Sequence, residues 1–210
     1  KQRKLKNIKE AAEMKQRLLR AQLNPHFLFN SLNSIQRLYV EGKTHIANDF
    51  IADFAQLMRD ILEKTGRTQI PIYEEMDFIE AYLSLEKRRL GDKFDYEILL
   101  SEEVRNGDYN IPSFIVQPLV ENALLHGILP KNERGNIEVK VETQTNANLE
   151  ISVKDNGIGY YSGNTNPTHK SKAMELIKNR LGKSGAIQIK ELKNQNGQVE
   201  GTEVKLILEY

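Results

Sequence analysis

Cysteine and tryptophan are both absent from the 210 residues. Without thiols there can be no disulfide, no thiol nucleophile and no thiolate zinc site, so the metal question reduces to oxygen ligands, and a reducing compartment is permitted. No apolar run approaches the roughly 20 residues of a membrane-spanning helix, and no secretory leader pattern is present. A charge of one sign is lacking too. Thirty Lys and Arg face 29 Asp and Glu, a formal net charge of +1, so the chain has no global basic field of the kind that draws nucleic acid. What is present is enough apolar material, 39% of residues, for a real core in one ordinary domain plus a smaller one. The charge is unevenly placed: residues 1–20 carry eight Lys and Arg against two Glu. The start at Lys1, without Met and inside a helical pattern, reads as a fragment lacking its upstream part. The basic block fits a cytoplasmic flank of a membrane span and equally fits a solvated helix face.

Two regions with different periodicities follow. From Lys1 to about Glu41 the pattern is helical, interrupted at Pro25, with Leu5, Ile8, Ala12 and Leu19 at heptad-like spacing, which predicts a helix that pairs. After Gly42, Thr44 is the expected N-cap of a helix whose stripe is Ile46, Phe50, Phe54, Leu57, Ile61 and Leu62. Such a hairpin has little core of its own and is expected to dimerise into a four-helix bundle. Past Thr68 helices at Ile72 to Leu90, Ile115 to Ile128 and Lys172 to Leu181 alternate with strands at Phe94 to Leu100, Ile137 to Glu142, Leu149 to Val153, Ala186 to Leu192 and Thr202 to Leu208. The expected fold is α+β: residues 1–66 as a dimerising helical hairpin, residues 67–210 as an α/β sandwich with a mixed, mostly antiparallel sheet and helices on one face.

Four strings could carry chemistry. In Asn24 to Asn33 a helix would place Leu28, Leu32, Ile35 and Tyr39 on a packing face and His26, Asn30, Asn33 and Arg37 on a polar one. An exposed neutral imidazole is what a phosphate acceptor requires, although a lone helical histidine is more often a plain surface residue. In Gln117 to Gly127, Asn122 and His126 stand one turn apart beside Glu121. An amide oxygen suits Mg²⁺ alongside phosphate oxygens, and a capping or bridging asparagine is the bland alternative. Asp155-Asn156-Gly157-Ile158-Gly159 offers a carboxylate for an adenine amino group and two glycines for close backbone approach, and is also an ordinary hairpin turn. The polar stretch Tyr160 to Ser171 is long enough to serve as a lid. Gly201-Thr202 opens the last strand with a hydroxyl that could meet phosphate or hold Asp155.

In this order and spacing the strings resemble the LytS/YehU-type sensor histidine kinases, over about Ala21 to Tyr210. The most specific parts are Leu23-Asn24-Pro25-His26-Phe27-Leu28-Phe29-Asn30 and Gln117 to Gly127, and Tyr82 to Glu86 with Arg89 is similar to the family's segment ahead of its ATP domain. The resemblance implies a gyrase/Hsp90/kinase-type (Bergerat) ATP domain joined to dimerising helices. It makes His26 the phosphoacceptor, Asn122 the Mg²⁺ ligand and Asp155 the adenine anchor. Gly157 and Gly159 then shape the adenine pocket, Thr202 supports the neighbouring strand, and His126 contacts phosphate. ATP and Mg²⁺ are the implied cofactors. The implied partners are a second copy of the chain and the receiver domain of a response regulator. The place implied is the cytoplasmic portion of a bacterial protein anchored in the inner membrane through an upstream segment.

Three differences from the wider superfamily qualify what the resemblance implies. Phe27 follows the acceptor, as the resembled family has it, where many other histidine kinases have an acid, which leaves Asn30 and Glu121 as candidates to orient the imidazole. The superfamily's second glycine box is replaced by Ser171-Lys172-Ala173-Met174, where Ala173 disfavours the glycine conformations and Lys172 offers a compensating charge. Pro118 occupies the place of the glutamate found in hydrolytic members, which predicts slow free ATP hydrolysis. The alternative reading is a catalytically impaired dimeric nucleotide-binding or scaffold module of the same fold.

Overall fold

The computed structural model describes residues 25–144, 148–160, 174–175, 177–182 and 185–210, with side chains from Phe27 onward. The expected pairing helix over Lys1 to Arg20 lies outside these residues. Two compact units are present, Lys1–Thr68 and Gln69–Tyr210.

The first unit is a hairpin of α1 (Pro25–Val40) and α2 (Thr44–Lys64). Its turn is a glycine C-cap. Gly42 has φ +73°, its N–H donates to Tyr39 O, and Lys43 N–H donates to Leu38 O, which satisfies two carbonyls left over at the helix end. Thr44 is the first helical residue and not the cap; Lys43 holds the cap position without a side-chain bond. The packing face of α1 also differs from expectation. Phe27, Ser31 and Ser34 are buried, whereas Leu32 and Tyr39 are 54% and 43% exposed. Small serines let α1 lie close against Ala47, Phe50, Leu57 and Ile61 of α2, and Phe27 meets Phe54 with ring centroids 6.0 Å apart. Of the stripe predicted for packing, Leu28 and Ile35 are half-buried and Leu32 and Tyr39 are exposed, with the Tyr39 hydroxyl donating to Asn48 Oδ1 of α2 at 2.6 Å.

The second unit opens on β1 (Gln69–Pro71), which pairs antiparallel with β3 (Asn110–Pro112). Between them lie α3 (Ile72–Leu90), β2 (Phe94–Leu100) and a short α4 (Glu102–Asn106) capped by Ser101. α3 has Glu74 and Glu75 in its first turn and Lys87, Arg88 and Arg89 in its last, matching the helix dipole. Then come α5 (Gln117–Asn122), which runs directly into a π-helical turn Ala123–Ile128, and strands β4 (Gly135–Thr143) and β5 (Leu149–Asp155). Residues 174–175 and 177–181 are helical, and β6 (Gly185–Lys193) and β7 (Val199–Leu208) close the chain. β1, β3 and α4 were not expected, since segments this short carry no readable period.

The main sheet has the order β2-β4-β5-β7-β6; β2 and β4 are parallel and every other pair is antiparallel. This is the expected α+β fold with a mixed sheet. Alternation sorts its two faces. Ile137, Val139 and Val141 of β4, Ile151 and Val153 of β5 and Val204 and Leu206 of β7 form one buried apolar face, against which the π-helical turn packs. The other face is polar, and there Lys205 Nζ reaches Glu150 Oε1 at 2.6 Å.

Candidate functional site

The apolar face ends in a cleft of about 360 Å³. One wall is helical: Leu119, Asn122, Ala123 and His126, spaced i, i+3, i+4 and i+7, look into it together with Gly127. The floor comes from the sheet. Val153 and Asp155 of β5 face Val204 and Thr202 of β7, each in direct register. Gly159, Tyr160 and Met174 complete the lining. The wall changes from α to π geometry directly after Asn122, with Leu129 N–H bonding Leu124 O, a widening of the turn that is frequent at functional sites.

Asp155 is 5% exposed and is held from several sides. Its Oδ1 accepts from Gly157 N at 2.8 Å. The bend after it is clamped, because Asn156 Oδ1 accepts from Asn136 N at 2.7 Å and Lys131 Nζ donates to Asn156 O at 3.0 Å. Three glycines make this crowding possible. A Cβ on Gly127 would stand 2.7 Å from Asp155 Oδ1, one on Gly157 would stand 2.3 Å from the Gly127 carbonyl, and one on Gly201 would stand 1.9 Å from Asp155 O. Gly157 thus serves the approach of two backbones behind the cleft and does not line it, whereas Gly159, with φ +92°, does line it. The two glycines that the motif presents as a pair have separate jobs.

Asn122 stands in the wall with its Nδ2 buried and without a hydrogen-bond partner. A buried N–H group that bonds to nothing costs about 1–3 kcal/mol, so a group that can pair with the Asn122 amide nitrogen is favoured at this point. A half-turn of the terminal torsion presents the amide oxygen instead. Glu121, one residue earlier, does not line the cleft. It accepts from Gln117 Nε2 at 2.8 Å and faces α3, where burial first, then the charges of Glu121 and Glu86, hold the Tyr82 hydroxyl well above the ordinary tyrosine pKa. Glu86, almost fully buried, in turn accepts from Arg89 Nε at 3.0 Å.

Of the residues singled out in the sequence, Asn122, His126, Asp155, Gly159 and Thr202 are brought together around one cleft, and Gly157 packs directly behind it. His26 lies within α1 by its backbone; its side chain, Lys172 and the Ser171 to Ala173 string lie outside what is described. Asn30 is half-buried in α1. Leu119, Val153, Val204, Tyr160 and Met174 were not singled out. The first three share a helical or period-2 face with the named residues, which is a signal the sequence carried.

The donor set fits a purine nucleotide. A buried carboxylate at a strand end, an apolar floor and a glycine of positive φ suit a flat base with an exocyclic amine, while the orphan amide and His126 suit phosphate oxygens and an oxygen-loving cation. Among the described residues no cluster of three or more His, Asp or Glu side chains stands ready to hold a metal alone. A divalent ion held at Asn122 would therefore need ligands from phosphate and water as well.

Comparison with known proteins agrees with this geometry. The profile of the family described as Histidine kinase matches residues 14–94. The sensor histidine kinase/phosphatase LytS of Staphylococcus aureus is 33% identical over 183 residues, which are 81% of this chain and 31% of that protein. Among solved structures, a bacterial phosphotransferase superposes with a TM-score of 0.52 at 14% identity, covering 93% of this chain and 96% of that one. The histidine kinase domain of the blue-light activated histidine kinase of Erythrobacter litoralis is similar at a TM-score of 0.48 and 14% identity, covering 88% of this chain and 95% of that one. The fold is that of the histidine kinases. Within that class, the chain belongs to the LytS-type family. It spans 31% of the length of the curated relative.

Proposed function

We propose that this chain is the dimerising and ATP-using part of a two-component sensor protein-histidine kinase, which moves the γ-phosphate of ATP to His26 and on to an aspartate of a response-regulator receiver domain. The observation that carries the reading is the unpartnered Asn122 amide in the wall of a cleft that also holds the buried Asp155. Family membership supports the acceptor: His26 sits in the Asn24 to Asn30 string on α1. In this reading residues 1–66 carry the acceptor and residues 67–210 bind the nucleotide.

Asp155 accepts the adenine amino group, with Thr202 beside it and Gly159 giving the ring access. Asn122 and His126 hold the phosphate end, and Lys172 adds a positive charge there. Mg²⁺ bound through Asn122 supplies charge neutralisation on the phosphate oxygens. An imidazole nitrogen of His26 attacks the γ-phosphorus, the bond to the β,γ-bridging oxygen breaks, ADP departs with that electron pair, and the ring's proton passes to solvent. Asn30, one turn beyond His26, orients the imidazole. Glu121 keeps α5 in register through Gln117 and so acts on Asn122 from behind. Pro118, which carries no base, leaves water without activation at the phosphate. The exposed Phe29, Leu32 and Val40 of α1 support pairing with a second copy, because an apolar stripe of this kind needs a partner. The chain belongs at the cytoplasmic face of a membrane, tethered by parts of the longer protein.

The test is phosphate transfer from γ-labelled Mg-ATP. Label that survives base, is lost in acid and vanishes in His26→Ala is the expected result. Asn122→Leu should abolish labelling while leaving thermal stability equal or higher, since the orphan amide is removed. Labelling that persists in His26→Ala, or is undiminished in Asn122→Leu, would overturn the assignment.

A further inference from the structure

One buried turn leads into the helical wall of the cleft and is bonded by a residue of the helical stretch that follows Met174. Ser113, Phe114, Ile115 and Val116 precede α5 and are all buried. Phe114 has φ +54°, the only positive φ of a non-glycine residue among those described. A left-handed aromatic residue is unfavourable by itself and persists where its surroundings over-determine it. Here they do. Glu75 of α3, 0% exposed, accepts from Phe114 N at 2.8 Å and Val116 N at 3.0 Å. Arg180, on the helical residues that follow Met174, donates from a single nitrogen to Ser113 O at 2.8 Å and Phe114 O at 2.7 Å. The Phe114 ring stands edge-on to Phe78 at 5.2 Å. Burial lowers the guanidinium's pKa and the Glu75 charge opposes that change.

We infer that Arg180 is a positioning residue for the nucleotide cleft: together with Glu75 it clamps the Ser113–Val116 turn, and so sets the wall that bears Met174 at a fixed distance from the wall that bears Asn122. Arg180 touches no ligand in this account. It acts through the turn, because a shift of the left-handed residue moves the start of α5, and a loosened Arg180 frees the helical residues 177–181 that follow Met174. The inference rests on the nucleotide reading above. By reciprocity, a clamp that favours nucleotide binding must itself be tightened when nucleotide binds.

Arg180→Met keeps the apolar stem and removes the donors. The expected result is that Mg-ADP binds about tenfold more weakly than to the wild type, and that KM for ATP rises by a similar factor while kcat at saturating ATP stays within about twofold. A role in stability alone would lower the melting temperature and leave KM where it was. Unchanged Mg-ADP affinity in folded Arg180→Met overturns the inference and leaves the nucleotide reading intact, whereas a wild type that binds no Mg-ADP overturns both. Should the variant not fold, amide exchange on the wild type decides. Mg-ADP is expected to slow exchange at Phe114 and Val116 together with residues 177–181, and exchange unaltered by saturating Mg-ADP sinks the proposal.

Discussion

Replacing Gly127 by alanine adds one methyl group where the structure has no room, and the consequence can be worked through. The new carbon would stand 2.7 Å from Asp155 Oδ1, 3.0 Å from Cγ and 3.3 Å from Oδ2. A carboxylate at the end of a free side chain could swing away at little cost, but this oxygen is the one that accepts from Gly157 N. The main chain cannot retreat instead, since Gly157 already lies against the Gly127 backbone. Swinging the carboxylate therefore forfeits a charge-assisted hydrogen bond, and holding it forces an overpacked contact; either route costs about 1–3 kcal/mol. For a unit of this size that is a fall of about 2–12 °C in melting temperature. Because the displaced group is the one assigned to adenine, Mg-ADP affinity should drop with it. Gly197→Ala is the control: it has φ +77° with nothing within 4 Å, so only local backbone strain of about 1 kcal/mol applies, with nucleotide affinity unchanged. A melting temperature for Gly127→Ala within about 1 °C of wild type, with an unshifted Gly157 amide resonance, would refute the reasoning.

Two further outcomes follow from the same structure. Ser31 Oγ is buried in the hairpin without a partner, so Ser31→Ala should raise hairpin stability by about 1 kcal/mol, read as a higher urea midpoint; a loss of that size would mean the hydroxyl is satisfied. Asp95, bonded first by Arg134 and then by Lys87, has its pKa lowered to about 2. A depressed carboxylate contributes stability that is present above its unfolded value near 4 and is lost as pH falls through about 2. Asp95→Asn should therefore flatten the stability profile between about pH 4 and 2, and a carboxyl-carbon titration by NMR with a midpoint near 4 would reject the ion pairs.

Where a functional group shares a period with its neighbours, the sequence displayed it. Asn122 and His126 fall on one helical face; Asp155 ends β5 and Thr202 is its register partner within β7, strands whose alternation is plain. The whole cleft could have been extended from them to Leu119, Val153 and Val204 by period alone. The clamp was not legible, because Glu75, Phe114 and Arg180 belong to three separate elements and nothing local distinguishes a glutamate that will cap a buried turn from one that will face water. The face of α1 was misjudged for a related reason. Hydrophobicity ranks Leu32 and Tyr39 above Ser31 and Ser34, yet close approach of two helices rewards small side chains, and the large ones were left exposed for another surface. The π-helical widening after Asn122 is likewise invisible to a 3.6-residue reading.

The meeting of Gly127, Gly157 and Gly201 around Asp155 also constrains how such a cleft can diversify. Three of the positions nearest the Asp155 carboxylate have no room for a side chain, so drift and selection alike find that end of the cavity closed to variation. Remodelling of the cavity is left to lining positions that already carry a side chain, such as Leu119, Met174, Thr202 and Val204.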